Sequence, residues 1–88
     1  MKLLDINDVA YIESPVLYFR EYTGLALFKM ADKKSKEIRI KFTLESQSMG
    51  PPLVNIEFTD SVDYPLMPLI RSLKSHVTKL DKNGGLPK

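Results

Sequence analysis

The clearest alternation of apolar and polar side chains lies in residues 37–45 of this 88-residue chain. The apolar positions of this segment are Ile38, Ile40, Phe42 and Leu44. Because successive side chains of a β-strand point to opposite faces, a period of two predicts a strand with one apolar face. Such a strand needs a second layer of the protein to cover that face.

Three further segments are rich in β-branched or aromatic residues and are predicted to form strands as well. These segments are residues 9–13, 16–30 and 53–58. A two-residue turn is predicted at Thr23 and Gly24, because glycine tolerates the positive φ that such turns need. We therefore expect residues 16–30 to form two paired strands. Their apolar face is expected to carry the following residues: Leu17, Phe19, Phe28 and Met30.

The period changes after residue 65, where apolar residues recur at spacings of three and four and predict an amphipathic helix. Its apolar positions are Leu66, Leu69, Ile70, Leu73, Val77 and Leu80. Candidate capping residues before it are Thr59, Asp60, Ser61 and Asp63. Pro68 is expected to delay the regular helix, and the Asn-Gly-Gly sequence at residues 83–85 is expected to end it.

These elements predict an α+β fold, an antiparallel β-meander of four or five strands with one C-terminal α-helix packed on one face. Residues 1–82 are expected to form a single domain and residues 83–88 a flexible C-terminal tail. This strand order resembles that of the PC4 and PUR-type single-strand-binding domains, with no shared motif, so no residue role is implied. Residues 6–13 are also similar to the opening strand of LytTR-type DNA-binding domains, but the later layout departs from that family.

Composition narrows the class of protein. The chain has a net charge of +2, no cysteine, and 43% hydrophobic residues, values ordinary for a soluble domain. The lack of cysteine excludes disulfides and thiolate metal sites and favours a reducing compartment, so we expect a cytoplasmic protein. We expect neither a signal peptide nor a membrane span, because no apolar run is long enough.

Catalytic chemistry has little support in the sequence. His76 is the single histidine, and it lies beside the apolar stripe of the predicted helix without a recognisable triad motif. We interpret it as a half-buried structural residue. Asp60 and Asp63 precede the helix and are interpreted as caps in preference to a metal or acid–base pair. The sequence therefore predicts no enzyme and no cofactor.

The predicted uncovered sheet face is the main candidate for binding. Its candidate residues are Tyr18, Arg20, Tyr22, Leu25, Leu27, Lys29, Arg39 and Lys41. The leucines favour a protein partner, including a second copy of the chain as a homodimer. The alternative is single-stranded DNA or RNA, because basic groups among aromatic residues suit phosphates and stacked bases. That alternative expects Lys29 to lie near Arg39.

A second candidate surface is the polar side of the helix. Its basic residues are Arg71, Lys74 and Lys82, at spacings of three and eight. This stripe suits phosphates or an acidic protein, although solvent-exposed lysines are common on helices that bind nothing.

Overall fold

Four strands and one helix form the described part of the computed structural model, which covers residues 2–13, 15 and 18–87. The elements are β1 (Lys2–Ile12), β2 (Phe19–Lys29), β3 (Ser35–Glu45), β4 (Leu53–Phe58) and α1 (Leu66–Lys82). The strands pair antiparallel in chain order, β1-β2-β3-β4, as short connections favour. The predicted α+β meander with a C-terminal helix is confirmed, and its strands number four among the described residues.

The core lies between α1 and the face of the sheet that carries the alternating apolar residues of β3. Those four residues are each at most 1% exposed: Ile38, Ile40, Phe42 and Leu44. The helix covers them with three residues spaced four apart, which share one side of a helix: Leu69, Leu73 and Val77. The helix approaches the two edge strands, β1 and β4, most closely, so the sheet curls around it.

Thr23 and Gly24 do not form a turn, contrary to the prediction. They pair with Lys41 and Ile40 of β3 in the middle of the continuous strand β2. A Cβ atom added at Gly24 would lie only 2.9 Å from Cγ2 of Ile6 on β1. The glycine therefore allows close approach by β1, which is the second common reason for glycine inside a strand.

The missing turn changes the face assigned to half of the residues in β2. In a continuous strand, residues of equal parity share a face, so Phe19 and Phe28 lie on opposite faces. Phe28 is fully buried, as predicted, but Phe19 lies on the face away from α1 and is only partly buried. Tyr22 enters the core instead and stacks on Phe42 with ring centroids 5.2 Å apart. Leu17 lies outside the described residues.

β1 is longer than the predicted strand and less regular. Its pairing with β2 shifts between Leu3 and Asp5 and again between Asn7 and Ala10. Asp8 lies within the second irregularity and has a φ of 51°. Each bulge adds one residue to β1, so the apolar residues that pack towards the core recur every third position. Those residues are Leu3, Ile6 and Val9.

The helix begins without the predicted caps. Pro65 precedes the first helical residue, and no side chain among the described residues caps that end. Pro68 does not delay the helix, because the first four N–H groups of a helix need no partner within it. Asp60 instead accepts a hydrogen bond from the Arg39 backbone N–H at 2.9 Å, and Thr59 donates to the Arg39 carbonyl oxygen. These bonds tie the end of β4 to β3.

The helix ends at the predicted Asn-Gly-Gly sequence. Gly84 has a φ of 70°, and the N–H of Gly85 donates to the Leu80 carbonyl at 2.7 Å. The N–H of Gly84 donates to the Asp81 carbonyl, which completes a Schellman-type ending. Leu86 follows and packs, partly buried, against the core. The flexibility of the tail stays a prediction.

Candidate functional site

The sheet face away from α1, called the open face, is covered by none of the described elements. Pairing with β3 and β4 places every second residue of β2, β3 and β4 on it. Its apolar residues are Phe19, Leu25, Leu27 and Leu53, and its charged residues are Glu21, Lys29, Glu37, Arg39, Lys41, Glu45 and Glu57. Leu25 and Leu27 lie at its centre because β2 is an inner strand.

Five of the predicted binding residues lie on the open face: Leu25, Leu27, Lys29, Arg39 and Lys41. Tyr22 does not, because it is 1% exposed and belongs to the core. Arg20 also lies on the side of the helix, since it shares the parity of Tyr22. Tyr18 precedes β2 and is 59% exposed. The predicted combination of two tyrosines with basic groups is therefore not present on this face.

Arg20 fastens the helix to the sheet. Its Nη1 atom donates to Oδ1 of Asp81, near the end of α1, at 2.9 Å. This hydrogen bond raises the pKa of Arg20 above its ordinary value, partly offset by desolvation. The pair joins β2 to the last turn of α1, so the structure gives Arg20 a structural role.

Lys41 on the open face is already paired. Its Nζ atom lies 2.8 Å from Oε1 of Glu21, and it faces Glu57 across the ladder, as the sequence predicts. The hydrogen bond to Glu21 raises the pKa of Lys41. Two neighbouring carboxylates therefore reduce the attraction that Lys41 offers to an anion.

Lys29 and Arg39 are not neighbours, contrary to the expectation from the hairpin. Lys29 pairs with Ser35 on β3 and with Lys2 on β1, whereas Arg39 pairs with Leu25. The continuous β2 moves the two cations four ladder positions apart, which is about 13 Å along a strand. The open face therefore does not concentrate positive charge at its centre.

A second candidate site lies between the start of β1 and one flank of α1, and we call it the basic groove. It has a volume of about 560 Å³ and is lined by Lys2, Leu3, Arg71, Ser72, Ser75, His76 and Lys79. Of the predicted basic helix residues, all three are exposed, but only Arg71 lines this groove. Lys82 lines a separate recess of about 240 Å³ beside Pro51 and Pro52.

The sequence reasoning missed two cations of this groove. Lys79 lies at a spacing of four from Ser75, which itself follows Arg71 by four, so the three share one helix flank. That periodicity was available in the sequence. Lys2 gave no such signal, because only the tertiary fold brings the start of β1 beside the helix.

His76 is partly buried, as predicted, with a side chain 28% exposed. Its Nε2 atom lies 3.4 Å from Oδ1 of Asp5 and makes no hydrogen bond among the described residues. A general base needs a hydrogen bond to the group that it deprotonates, and this nitrogen has no such partner in the described chain. The described residues also contain no group of three or more potential metal ligands.

The fold and its two surfaces define a small α+β domain with an open antiparallel sheet face and a basic groove beside its helix. The chain belongs to the BB_0187 family, which matches residues 1–82. That description names no activity, ligand or partner. Comparison with curated proteins gives no match, and neither does comparison with solved structures. Within the described residues, no helix has the length and apolar character needed to cross a membrane.

Proposed function

We propose that this protein is a small non-catalytic binding domain that acts through protein contact on its open face, with a second copy of the chain as partner. The observation that supports this is the pair of partly exposed leucines, Leu25 and Leu27, at the centre of that face. They face Arg39 and Glu37 across the ladder. An apolar centre surrounded by charges is typical of protein contact surfaces.

The charge balance of the open face favours a protein over a nucleic acid. β2, β3 and β4 carry three cations and four carboxylates on it, which sum to −1. Nucleic-acid binding draws its affinity from an excess of positive charge. Because Tyr22 is 1% exposed, it cannot stack on a base. Single-stranded nucleic acid on this face stays a prediction with less support than protein contact.

The size of the open face suits a modest affinity. An 11-residue strand extends about 36 Å, and four paired strands span about 15 Å. The resulting footprint of about 550 Å² is smaller than the roughly 800 Å² per partner of a standard interface. We therefore expect a dimer with a dissociation constant in the micromolar range, formed in the cytoplasm, which the cysteine-free sequence favours.

Sedimentation velocity from about 1 μM to about 1 mM tests the proposal, because that range brackets a micromolar constant. The test variant is Leu25→Glu/Leu27→Lys, which removes the apolar centre without changing the net charge. Each new charge faces an opposite one across the ladder, on Arg39 and Glu37, so the fold is expected to persist. We expect a dimer for the unmodified chain and a monomer for this variant.

The matched control is Leu66→Glu/Met67→Lys at the start of α1. These residues are 43% and 60% exposed, so the control makes the same exchange on another surface. It should dimerise like the unmodified chain. A monomeric unmodified chain at every concentration would contradict the proposal, and so would equal loss of dimer in both variants.

A further inference from the structure

The basic groove gathers three cationic side chains at one place. Two of them, Arg71 and Lys79, come from one flank of α1, and the third, Lys2, comes from the start of β1. Residues this far apart in sequence share the groove only because α1 packs beside the edge strand. Like charges brought together by folding repel each other, and a bound anion removes that repulsion.

These cations have no counter-ion in the described chain. The ion pairs found among the described residues are Arg20–Asp81, Lys41–Glu21 and His76–Asp5, so none includes a cation of the groove. The nearest identified carboxylate is that of Asp5, 3.4 Å from Nε2 of His76 at the edge of the groove. It is 57% exposed and therefore screened by solvent.

The other groups in the groove suit a phosphate ester. Ser72 and Ser75 provide two hydroxyl donors beside the guanidinium of Arg71, and guanidinium groups match the geometry of phosphate oxygens. Leu3 and the ring of His76 provide an apolar and an aromatic surface, which suit a sugar or a base. The volume of about 560 Å³ falls within the range of small-ligand sites, roughly 300–1,000 Å³.

We propose that the basic groove binds the phosphate ester of a nucleotide, either free or within a single-stranded nucleic acid. The two sources share the same phosphate chemistry, and a length series of ligands distinguishes them. This site lies beside the helix and uses none of the residues of the open face. Its failure and the failure of dimerisation are therefore separate results.

The experiment compares two double variants that each remove two positive charges from exposed positions of α1. Arg71→Gln/Lys79→Gln changes the groove, and Lys74→Gln/Lys82→Gln changes the same helix outside it. The probes are inorganic phosphate, adenosine monophosphate and a labelled single strand of about ten nucleotides, in about 50 mM salt. Anisotropy reports the labelled strand, and chemical-shift titration reports the small probes. Circular dichroism checks that each variant folds.

We expect the groove variant to lose at least about tenfold in affinity, because it removes charge-assisted contacts. The control should lose about threefold or less, since it reduces only the general field. Asp5→Asn should strengthen binding, because it removes the neighbouring negative charge. Affinity that rises with strand length assigns the site to nucleic acid, and equal affinity for the monophosphate assigns it to a free nucleotide.

Three results would overturn the proposal. The first is no binding of any probe at low salt. The second is equal loss of affinity in the two double variants, which would indicate attraction by net charge without a site. The third is equal affinity for inorganic phosphate and the monophosphate, which would remove the nucleotide.

Discussion

Tyr22 provides the sharpest test of the strand arrangement, because a turn at Gly24 would expose it and a continuous β2 buries it. It is 1% exposed, stacks on Phe42 at 5.2 Å and meets Tyr11 edge-on at 5.5 Å. A buried tyrosine removes about 150–250 Å² from water, which is worth about 4–6 kcal/mol at roughly 25 cal/mol per Å². Because unfolded chains already hide part of that area, we expect Tyr22→Ala to cost about 3–5 kcal/mol.

The cost is large for a chain of 88 residues, whose total stability is expected to be about 4–13 kcal/mol. Urea unfolding followed by far-ultraviolet circular dichroism measures it, with the m-value as a check on two-state behaviour. If Tyr22→Ala does not fold, Tyr22→Leu keeps most of the volume and should cost about 1–2 kcal/mol.

Tyr18→Ala is the matched control, since it truncates a tyrosine four residues away that is 59% exposed. The Tyr18 carbonyl accepts a hydrogen bond from the Ser46 backbone N–H, and this bond survives the substitution. We expect a change of at most about 0.5 kcal/mol. Equal costs for the two tyrosines would refute the burial of Tyr22 and, with it, the continuous strand.

Three smaller predictions use the same unfolding and melting assays. Gly24→Ala should cost about 1–3 kcal/mol, because its Cβ would lie 2.9 Å from Cγ2 of Ile6; an unchanged midpoint would refute the close approach. Asp81→Asn should cost about 0.5–1 kcal/mol by weakening the 2.9 Å pair with Arg20, and no change would show that the pair is not formed in solution. Lys41→Gln should leave the melting temperature nearly unchanged, because its pair with Glu21 is exposed to solvent; a large drop would contradict that exposure.

The parts of the fold that were predictable are those with an uninterrupted period. β3 alternates without error, and α1 repeats its apolar residues at three and four, so local pattern and tertiary burial agree there. The turn at Gly24 was mispredicted because glycine serves both tight turns and close approach, and only the position of Ile6 on another strand distinguishes them. That single error moved Tyr22 and Phe19 to the wrong faces.

The candidate site was predictable only in part, for a related reason. Arg71 belongs to a helix whose faces follow from its period. Lys2 belongs to β1, whose two bulges convert a period of two into an apolar spacing of three and so hide the strand. The neighbourhood of Lys2 and Lys79 is a long-range contact, which no local pattern encodes.

Both sheet edges carry features that oppose edge-to-edge pairing, which leaves the open face as the surface for dimerisation. β1 is interrupted by two irregularities in its pairing, and bulges are a common protection of exposed edges. β4 has only six residues and follows Pro51 and Pro52, which lack the N–H group that a pairing strand would need. A dimer formed through an edge would have to overcome one of these features.

Deletion of Asp8 tests this argument directly. Asp8 and Val9 together oppose Gly24, between the paired positions Asn7 and Ala10, so removing one residue restores one-to-one pairing and keeps Val9 towards the core. The regular edge should then add strands from other chains, and light scattering should detect species larger than a dimer. Asp8→Gly is the control, because glycine accepts the φ of 51° and keeps the bulge. If the deletion variant assembles no further than the control, the bulge does not protect the edge, and the open face loses its advantage as the contact surface.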